Sequence, residues 1–231
     1  MKIYSLQDFI KYLDANGELV RIKTEVDAKL EVTEISIRAL QQGMPALLFE
    51  NVKGAKFPLA MNVLASDKRI ELALGKHPDQ LGEELITFME DAMPPNPKVF
   101  FKHPGTTRRI ISAIPRTTFR STSQEVVSQP NLDDLPVITS WPDDGGPFIT
   151  LPQVFTYDPR DGKRNLGMYR MQVFDNQTTG MHWQIQKGGG FHFYQAKKMG
   201  KDFKIAVALG TDPALLLATV AALPEGIDEV M

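Results

Sequence analysis

Residues 165–193 read NLGMYRMQVFDNQTTGMHWQIQKGGGFHF, and the interpretation of the whole chain turns on this stretch. Two runs rich in β-formers, 166–174 and 181–185, flank Asp175-Asn176-Gln177-Thr178-Thr179-Gly180. The Asp, Asn and Gly of that hexapeptide adopt turn conformations at low cost, so the segment is predicted to be a hairpin. Side chains alternate along a strand, which puts Leu166, Met168, Arg170 and Gln172 on one face and Gly167, Tyr169, Met171 and Val173 on the other. Arg170 therefore shares its face with apolar neighbours. On the return strand His182 and Gln184 share a face, with Trp183 opposite. That strand runs into Lys187-Gly188-Gly189-Gly190, a loop whose bare N–H groups, with a lysine beside them, let an anion approach closely. A large planar ligand with an acidic tail suits this set of groups.

A plain surface hairpin explains the same residues. In that reading Arg170 pairs with a carboxylate, Trp183 belongs to the core and the three glycines form a flexible turn. Local chemistry alone leaves both readings open.

At 231 residues the chain is long enough for one large domain or two modest ones, each able to bury a substantial core. A hydrophobic share of 42% and a mean hydropathy of −0.20 fit a globular protein. No apolar run approaches the ~18 residues of a membrane helix, so no membrane span is expected. Acidic Asp8 stands where a signal peptide would be apolar, and the expected compartment is the cytoplasm. The absence of cysteine excludes disulfides, thiolate metal sites and a Cys nucleophile. Any metal would be held by oxygen or imidazole. With 26 Lys and Arg against 28 Asp and Glu, the net charge of −2 gives no footprint for nucleic acid, and a small-molecule partner is expected instead.

From the N-terminus, Ser5 is a candidate N-cap for a helix carrying Leu6, Phe9, Ile10 and Leu13 and stopped at Asn16-Gly17. Residues 18–26 are predicted to form a strand, a helix follows through Thr33, Ile35, Ile37 and Leu40 to Gly43, and 45–50 and 57–64 read as adjacent strands. Helices are predicted over 67–74 and 78–93, before Pro94-Pro95-Asn96-Pro97 ends the pattern. This alternation argues for an N-terminal α/β layered domain over 1–115. Beyond it, over 116–231, Thr139 to Pro147 reads as an irregular polar loop. Strands at 152–157, 165–174 and 180–185 suggest an antiparallel meander, part of a barrel. A helix at 191–199, a strand at 203–209 and a helix at 212–223 follow. The last residues, PEGIDEVM, look like a loop leading into a further apolar element, so the chain reads as a fragment or as one half of a split enzyme.

Several stretches together resemble the UbiD-like decarboxylases: PALLFENVKG (45–54), LPVITSWPDDGGPFIT (135–150), NLGMYRMQ (165–172), TTGMHWQ (178–184), VALGTDPA (207–214) and PEGIDE (224–229). They occur in the family's order and spacing across essentially the whole chain. The resemblance implies a carboxy-lyase that uses prenylated FMN to decarboxylate aromatic or α,β-unsaturated carboxylic acids. It further implies an α+β architecture in which the α/β domain precedes a flavin-binding split β-barrel, here incomplete. A homo-oligomer is expected, with a flavin prenyltransferase as the partner that supplies the cofactor. Matched position by position, Met168, Tyr169, Arg170, His182, Trp183, Gln184, Lys187 and Gly188 line the prenylated FMN. Asn165 and Glu229 bind a divalent metal, usually Mn2+, which holds the cofactor phosphate with K+ nearby; oxygen donors suit such hard cations. Many members have a metal-ligating His where this chain has Gln186. Arg170 matches the catalytic arginine of the family's Glu-Arg-Glu network, and a guanidinium is suited to bidentate grip of a carboxylate. The two glutamates are expected beyond Met231, which makes this polypeptide alone an expected inactive one.

Other chemistry has less support. His77 and His103 precede prolines in turn contexts, Asp143-Asp144 could be a metal pair but between Pro and Gly reads more readily as loop solvation, with structural or interface use implied by the resemblance, and His192 on its helix packs as readily as it binds. No Gly-x-Ser-x-Gly elbow is present. Two further classes stay open beside the decarboxylase: an FMN-binding split-barrel reductase, and a catalytically inactive binding or assembly module.

Overall fold

Ser5 starts the first helix as its position predicts: its hydroxyl accepts the Asp8 N–H at 3.2 Å and caps α1 (Leu6–Ala15). In the computed structural model, which describes residues 3–114, 118–119, 121–184 and 186–220, Phe9 and Leu13 of α1 are fully buried one turn apart. The chain continues through β1 (Leu19–Ile22), α2 (Glu31–Gln41), β2 (Ala46–Phe49) and β3 (Leu59–Met61). β1 and β2 pair in parallel, Leu19 opposite Ala46, as a helical crossover through α2 allows, while β3 pairs antiparallel to β2 with Leu48 opposite Ala60. All four residues of β2 are buried, so it is the centre of the sheet. Its alternating side chains feed two cores. Ala46 joins Phe9 and Leu13 on the α1 side, and Leu47 and Phe49 join Val32 and Ala39 on the α2 side. The layered α/β arrangement follows from this one strand being apolar on both faces.

α3 (Asp67–Leu74) is capped by Ser66 and closed by Gly75 at φ 70°, the left-handed conformation that glycine adopts without cost. α4 (Pro78–Ala92) begins with Pro at its first turn and with His77 Nδ1 accepting the Asp79 N–H. The proline cluster ends α4 as expected, but two unforeseen helices follow, α5 (Val99–Lys102) and α6 (Pro104–Ala113). Pro104 initiates α6, a place where its missing N–H is no loss.

Strands then dominate: β4 (Phe148–Ile149), β5 (Gln153–Tyr157), β6 (Arg164–Met168), β7 (Met171–Val173) and β8 (Thr179–Met181). They are followed by α7 (Gly188–Lys198), β9 (Ala206–Ala208) and α8 (Pro213–Ala218). The predicted strand over 165–174 is therefore two strands, interrupted at Tyr169 and Arg170. β6 belongs to an antiparallel sheet of order β6-β5-β9, whereas β7 belongs to another of order β4-β7-β8. The expected meander is corrected by the same interruption, because β5 and β6 form a hairpin but β7 and β8 leave for a different sheet. No closed barrel forms among the described residues. The hairpin itself is present, Met171 opposite Met181 and Val173 opposite Thr179, with a return strand shorter than predicted. α8 is capped by Asp212, and the rest of the predicted helix, like the PEGIDEVM terminus, lies outside the described residues.

Links between early and late segments fix these sheets to the first layer. Ile138 packs into the core of α2 and β2, Thr139 exchanges backbone hydrogen bonds with Ala28 and Leu30, and the Leu6 N–H donates to Gly210 O at 3.0 Å. Inside the first layer a buried ion pair ties β1 to α3. Arg69, 3% exposed, donates from Nη1 to Glu18 Oε2 at 3.1 Å and to Met44 O at 3.3 Å, while the exposed Lys68 reaches Glu18 Oε1 at 2.6 Å. The Lys68 hydrogen bond, aided by that from Arg69, holds the Glu18 carboxyl below the usual range. Removing one member of a buried pair leaves its partner desolvated and uncompensated. Glu18→Ala should therefore cost about 3 kcal/mol in urea unfolding, and Lys68→Ala less than about 1 kcal/mol because its ammonium is solvated. Equal costs for the two variants would contradict this assignment.

Candidate functional site

The interruption between β6 and β7 positions the residue singled out first. Arg170 lies one residue before β7, and the His182 N–H donates to Arg170 O at 3.2 Å, so the two residues stand opposite each other at the open end of the β7–β8 ladder. The guanidinium carbon sits 3.6 Å above the centre of the Phe148 ring. Its Nη2 donates to Asp144 Oδ1 at 2.9 Å. The Asp144 side chain is buried and that of Arg170 is 40% exposed, so a buried carboxylate anchors a guanidinium that still reaches the surface. The stacking and the charge-assisted hydrogen bond together hold a long side chain in one orientation. The carboxylate partner expected of an arginine on an apolar strand is thus the second residue of the Asp143-Asp144 pair.

Tyr169 turns the other way. It is 4% exposed, its ring lies 5.0 Å from that of Trp183, and its hydroxyl accepts the Gly189 N–H at 2.8 Å. Trp183 in turn stacks on Phe193 at 5.8 Å and meets Phe203 edge-on. The glycine run is not a loop, as the sequence suggested, but the first turn of α7. Close packing explains why glycine is needed there. A Cβ on Gly188 would stand 2.0 Å from Asn165 Oδ1, one on Gly189 2.7 Å from the Trp183 ring, and one on Gly190 2.3 Å from Gln184 O. The helix starts at Lys187 with no side-chain cap; the Lys187 N–H donates to Gln184 O, that of Gly189 to Tyr169, and Gly190 is buried, which leaves Gly188 as the exposed N–H of the first turn.

Under α7 runs a polar network that the sequence did not disclose. Asn165 Nδ2 lies 3.4 Å from Thr156 Oγ1, which is 3.0 Å from His192 Nδ1, and His192 Nε2 is 3.9 Å from Asp158 Oδ2. Thr156, Asp158 and His192 are all buried. Arg160, hydrogen-bonded to Asp158 through its side chain and its backbone N–H, holds the Asp158 carboxyl down at about 2. His192 therefore packs as a hydrogen-bonded helix residue. The only sequence signal was a polar residue on the inner side of α7, which became legible once its helical register was fixed.

The structure gathers Asn165, Tyr169, Trp183 and Gly188 around the start of α7, and Arg170 with His182 at the strand end. Met168 is half-buried, while Gln184, Gln186 and Lys187 are exposed. Glu229 lies outside the described residues. Toward a metal the described residues offer Asn165 Oδ1, and among them no group of three His, Asp or Glu converges. The described residues thus contribute one oxygen donor of the two assigned to a Mn2+ or K+ site, and the exposed Gly188 N–H at the uncapped helix start suits a phosphate oxygen. Two clefts lie elsewhere, of about 370 Å3 beside Lys76, Glu84 and His103 and about 240 Å3 beside Glu18, Ser66 and Arg69. Neither includes a residue singled out by the sequence as lining the cofactor. No helix among the described residues is long and apolar enough to cross a membrane.

Residues 116–231 match the family profile described as the 3-octaprenyl-4-hydroxybenzoate carboxy-lyase Rift-related domain, and residues 10–89 match that of the N-terminal domain of the same carboxy-lyase. Over 233 residues the chain is 44% identical to an uncharacterized protein of Archaeoglobus fulgidus, covering 100% of this chain and 48% of that one. It is 37% identical over 227 residues to a 4-hydroxybenzoate decarboxylase polypeptide of Chlamydia pneumoniae, covering 98% and 38%. Among solved structures it is similar to the UbiD-class enzyme HmfF of Pelotomaculum thermopropionicum in complex with FMN, with a TM-score of 0.79, 27% identity, and coverage of 97% and 46%. An evolved dimeric form of HmfF in complex with prFMN gives a TM-score of 0.75 at 26% identity, with coverage of 97% and 48%. The chain spans less than half the length of these relatives.

Two measurements test the geometry. Gly190→Ala pushes a methyl group onto a backbone oxygen and should cost about 1–3 kcal/mol in denaturant unfolding, whereas Gly105→Ala in α6, with open space around it, should be neutral or stabilising by up to about 1 kcal/mol. The lowered Asp158 carboxyl favours the folded state above pH 4 or so, and that contribution fades as pH falls toward 2. The stability gap between wild type and Asp158→Asn should therefore be largest near neutrality and shrink across this acid window.

Proposed function

We propose that this chain, which belongs to the UbiD family of carboxy-lyases, carries the cofactor-facing and carboxylate-binding part of a decarboxylase that uses prenylated FMN on an aromatic or α,β-unsaturated acid. The observation that carries this reading is Arg170, pinned by Asp144 and Phe148 with its side chain still 40% exposed next to His182. A bidentate grip on a substrate carboxylate needs a planar fork held in one orientation, and this environment supplies it. HmfF, in complexes with FMN and with prFMN, supports the choice of cofactor.

The phosphate end of the cofactor is assigned to the first turn of α7, where Gly188 and Lys187 offer an N–H and a positive charge. Asn165 Oδ1 is directed at the same place, and an amide oxygen repels a phosphate oxygen unless a cation lies between them. Asn165, with Glu229 as the second assigned ligand, would hold such a cation, and Mn2+ with K+ nearby is the pair the family resemblance suggests. Prenylated FMN, when bound, supplies an electron sink for the pair left as the bond to the carboxylate carbon breaks. Arg170 aligns that carboxylate before cleavage and loses its charged partner as CO2 forms, so its grip weakens when the product must leave. The proton that replaces CO2 is assigned to a glutamate outside these 231 residues. Cofactor supply by a flavin prenyltransferase and assembly as a homo-oligomer belong to the same proposal.

Arg170→Ala should lower CO2 release by the prenylated-FMN holoenzyme about 30-fold to 1,000-fold, the equivalent of roughly 2 to 4 kcal/mol of lost transition-state stabilisation. Arg170→Lys should recover little of it, because an ammonium cannot make the fork. Flavin absorbance should show cofactor retained in both variants. Near-normal turnover in either variant would remove the basis for this assignment.

A further inference from the structure

The polar network under α7 ends at Asn165, and it decides which end of that amide faces the start of the helix. Asn165 of β6 stands directly opposite Thr156 of β5, and its Oδ1 rests against Gly188, where a Cβ would be 2.0 Å away. An amide has a donor end and an acceptor end of nearly the same shape, so its hydrogen-bond neighbours set its orientation. The choice matters to any phosphate received there. An amide nitrogen donates directly to a phosphate oxygen, whereas an amide oxygen repels it and coordinates a hard cation instead.

The neighbours are directional. Thr156 is fully buried, and its hydroxyl is shared between Asn165 Nδ2 at 3.4 Å and His192 Nδ1 at 3.0 Å. A hydroxyl has one proton to give. Given to His192 Nδ1, it leaves the Thr156 oxygen to accept from Asn165 Nδ2 and keeps Oδ1 toward Gly188. If His192 instead carries its proton on Nδ1, the hydroxyl must turn to Asn165, and the amide then presents its nitrogen to Gly188. The ring tautomer of His192 therefore sets the amide, and Asp158 selects the tautomer. Its carboxylate, kept ionised by the hydrogen bonds from Arg160, lies 3.9 Å from His192 Nε2. Both groups are buried, where a negative charge is poorly screened and favours a proton on the nitrogen that faces it.

We propose that Asp158, His192 and Thr156 are positioning residues for Asn165, a relay of hydrogen bonds that holds its carbonyl toward the first turn of α7. The consequence for the ligand, a cation between amide and phosphate, rests on the cofactor assignment above, whereas the orientation belongs to the chain without ligand and is tested there. Long-range 1H–15N correlation spectra of the unliganded chain, with His192 assigned through its backbone, report which ring nitrogen carries the proton. The proton is expected on Nε2, with Nδ1 accepting, and a proton on Nδ1 overturns the proposal. Binding of FMN with and without Mn2+, followed by flavin fluorescence, gives a second readout, with circular dichroism to establish that each variant is folded. Thr156→Val keeps the shape and removes the hydroxyl. It should lower the Mn2+-dependent affinity at least about tenfold and leave the Mn2+-free affinity no lower, and Thr156→Ser should restore the Mn2+ dependence. No loss in Thr156→Val, or an equal loss with and without Mn2+, would make Thr156 a packing residue alone and overturn the proposal. Wild-type binding of FMN that ignores Mn2+, with the proton found on Nε2, would remove the cation from the cofactor assignment and support the relay.

Discussion

The hydrogen bond from the Gly189 N–H to the Tyr169 hydroxyl is the constraint on which the arrangement of the later half depends. It ties Tyr169 to the start of α7 just where β6 ends, opposite Gln153, the first residue of β5. The next residue, Arg170, leads into β7, which begins in a different sheet. Three glycines let α7 approach closely enough for this contact, since side chains there would collide with Asn165, Trp183 and Gln184. The hydrogen bond and the glycine run thus hold Tyr169 against α7 at the point where the chain passes from one sheet to the other and Arg170 precedes β7.

Electrostatics reinforces the same division. Where charge is buried it is matched: Arg69 with Glu18, Asp144 with Arg170, Asp158 with Arg160. In the last two pairs the acid is buried and the arginine is the half-exposed member. An exposed guanidinium on a buried carboxylate costs less desolvation than the reverse and keeps a cation oriented at the surface. For Arg160 that cation reaches over the Phe191 ring of α7 at 4.9 Å, a structural use. For Arg170 it faces the place where a substrate carboxylate is proposed.

Much of the first layer was legible because its signals are local. Ser5 and Ser66 cap helices where hydroxyls satisfy free N–H groups, Gly75 closes α3, and the unbroken apolar run of β2 marks a strand buried on both faces. Residues 98–113 were missed because the prolines read only as stops, although proline also starts helices. The break at Tyr169 was invisible to a period-two reading, which has no term for a side chain recruited by an element twenty residues away. The Asp144–Arg170 pair spans 26 residues and a loop, so its existence was foreseeable from an arginine among apolar neighbours but its partner was not. The glycine run was read as a loop open to an anion, whereas it forms the first turn of α7 and its glycines are required by packing against Asn165, Trp183 and Gln184. The network of Thr156, His192 and Asp158 needed the register of α7 on β5, which no local pattern carries.

The central claim is that the start of α7 receives the cofactor phosphate while Arg170 faces the reacting end of the bound molecule. A crystal structure of the chain with prenylated FMN and manganese tests it most directly. The phosphate should then lie within hydrogen-bonding distance of the Gly188 N–H, with a cation on Asn165 Oδ1 and the ring system on the side of Arg170 and His182. Cofactor bound in another cleft, or bound with its phosphate away from α7, would contradict it.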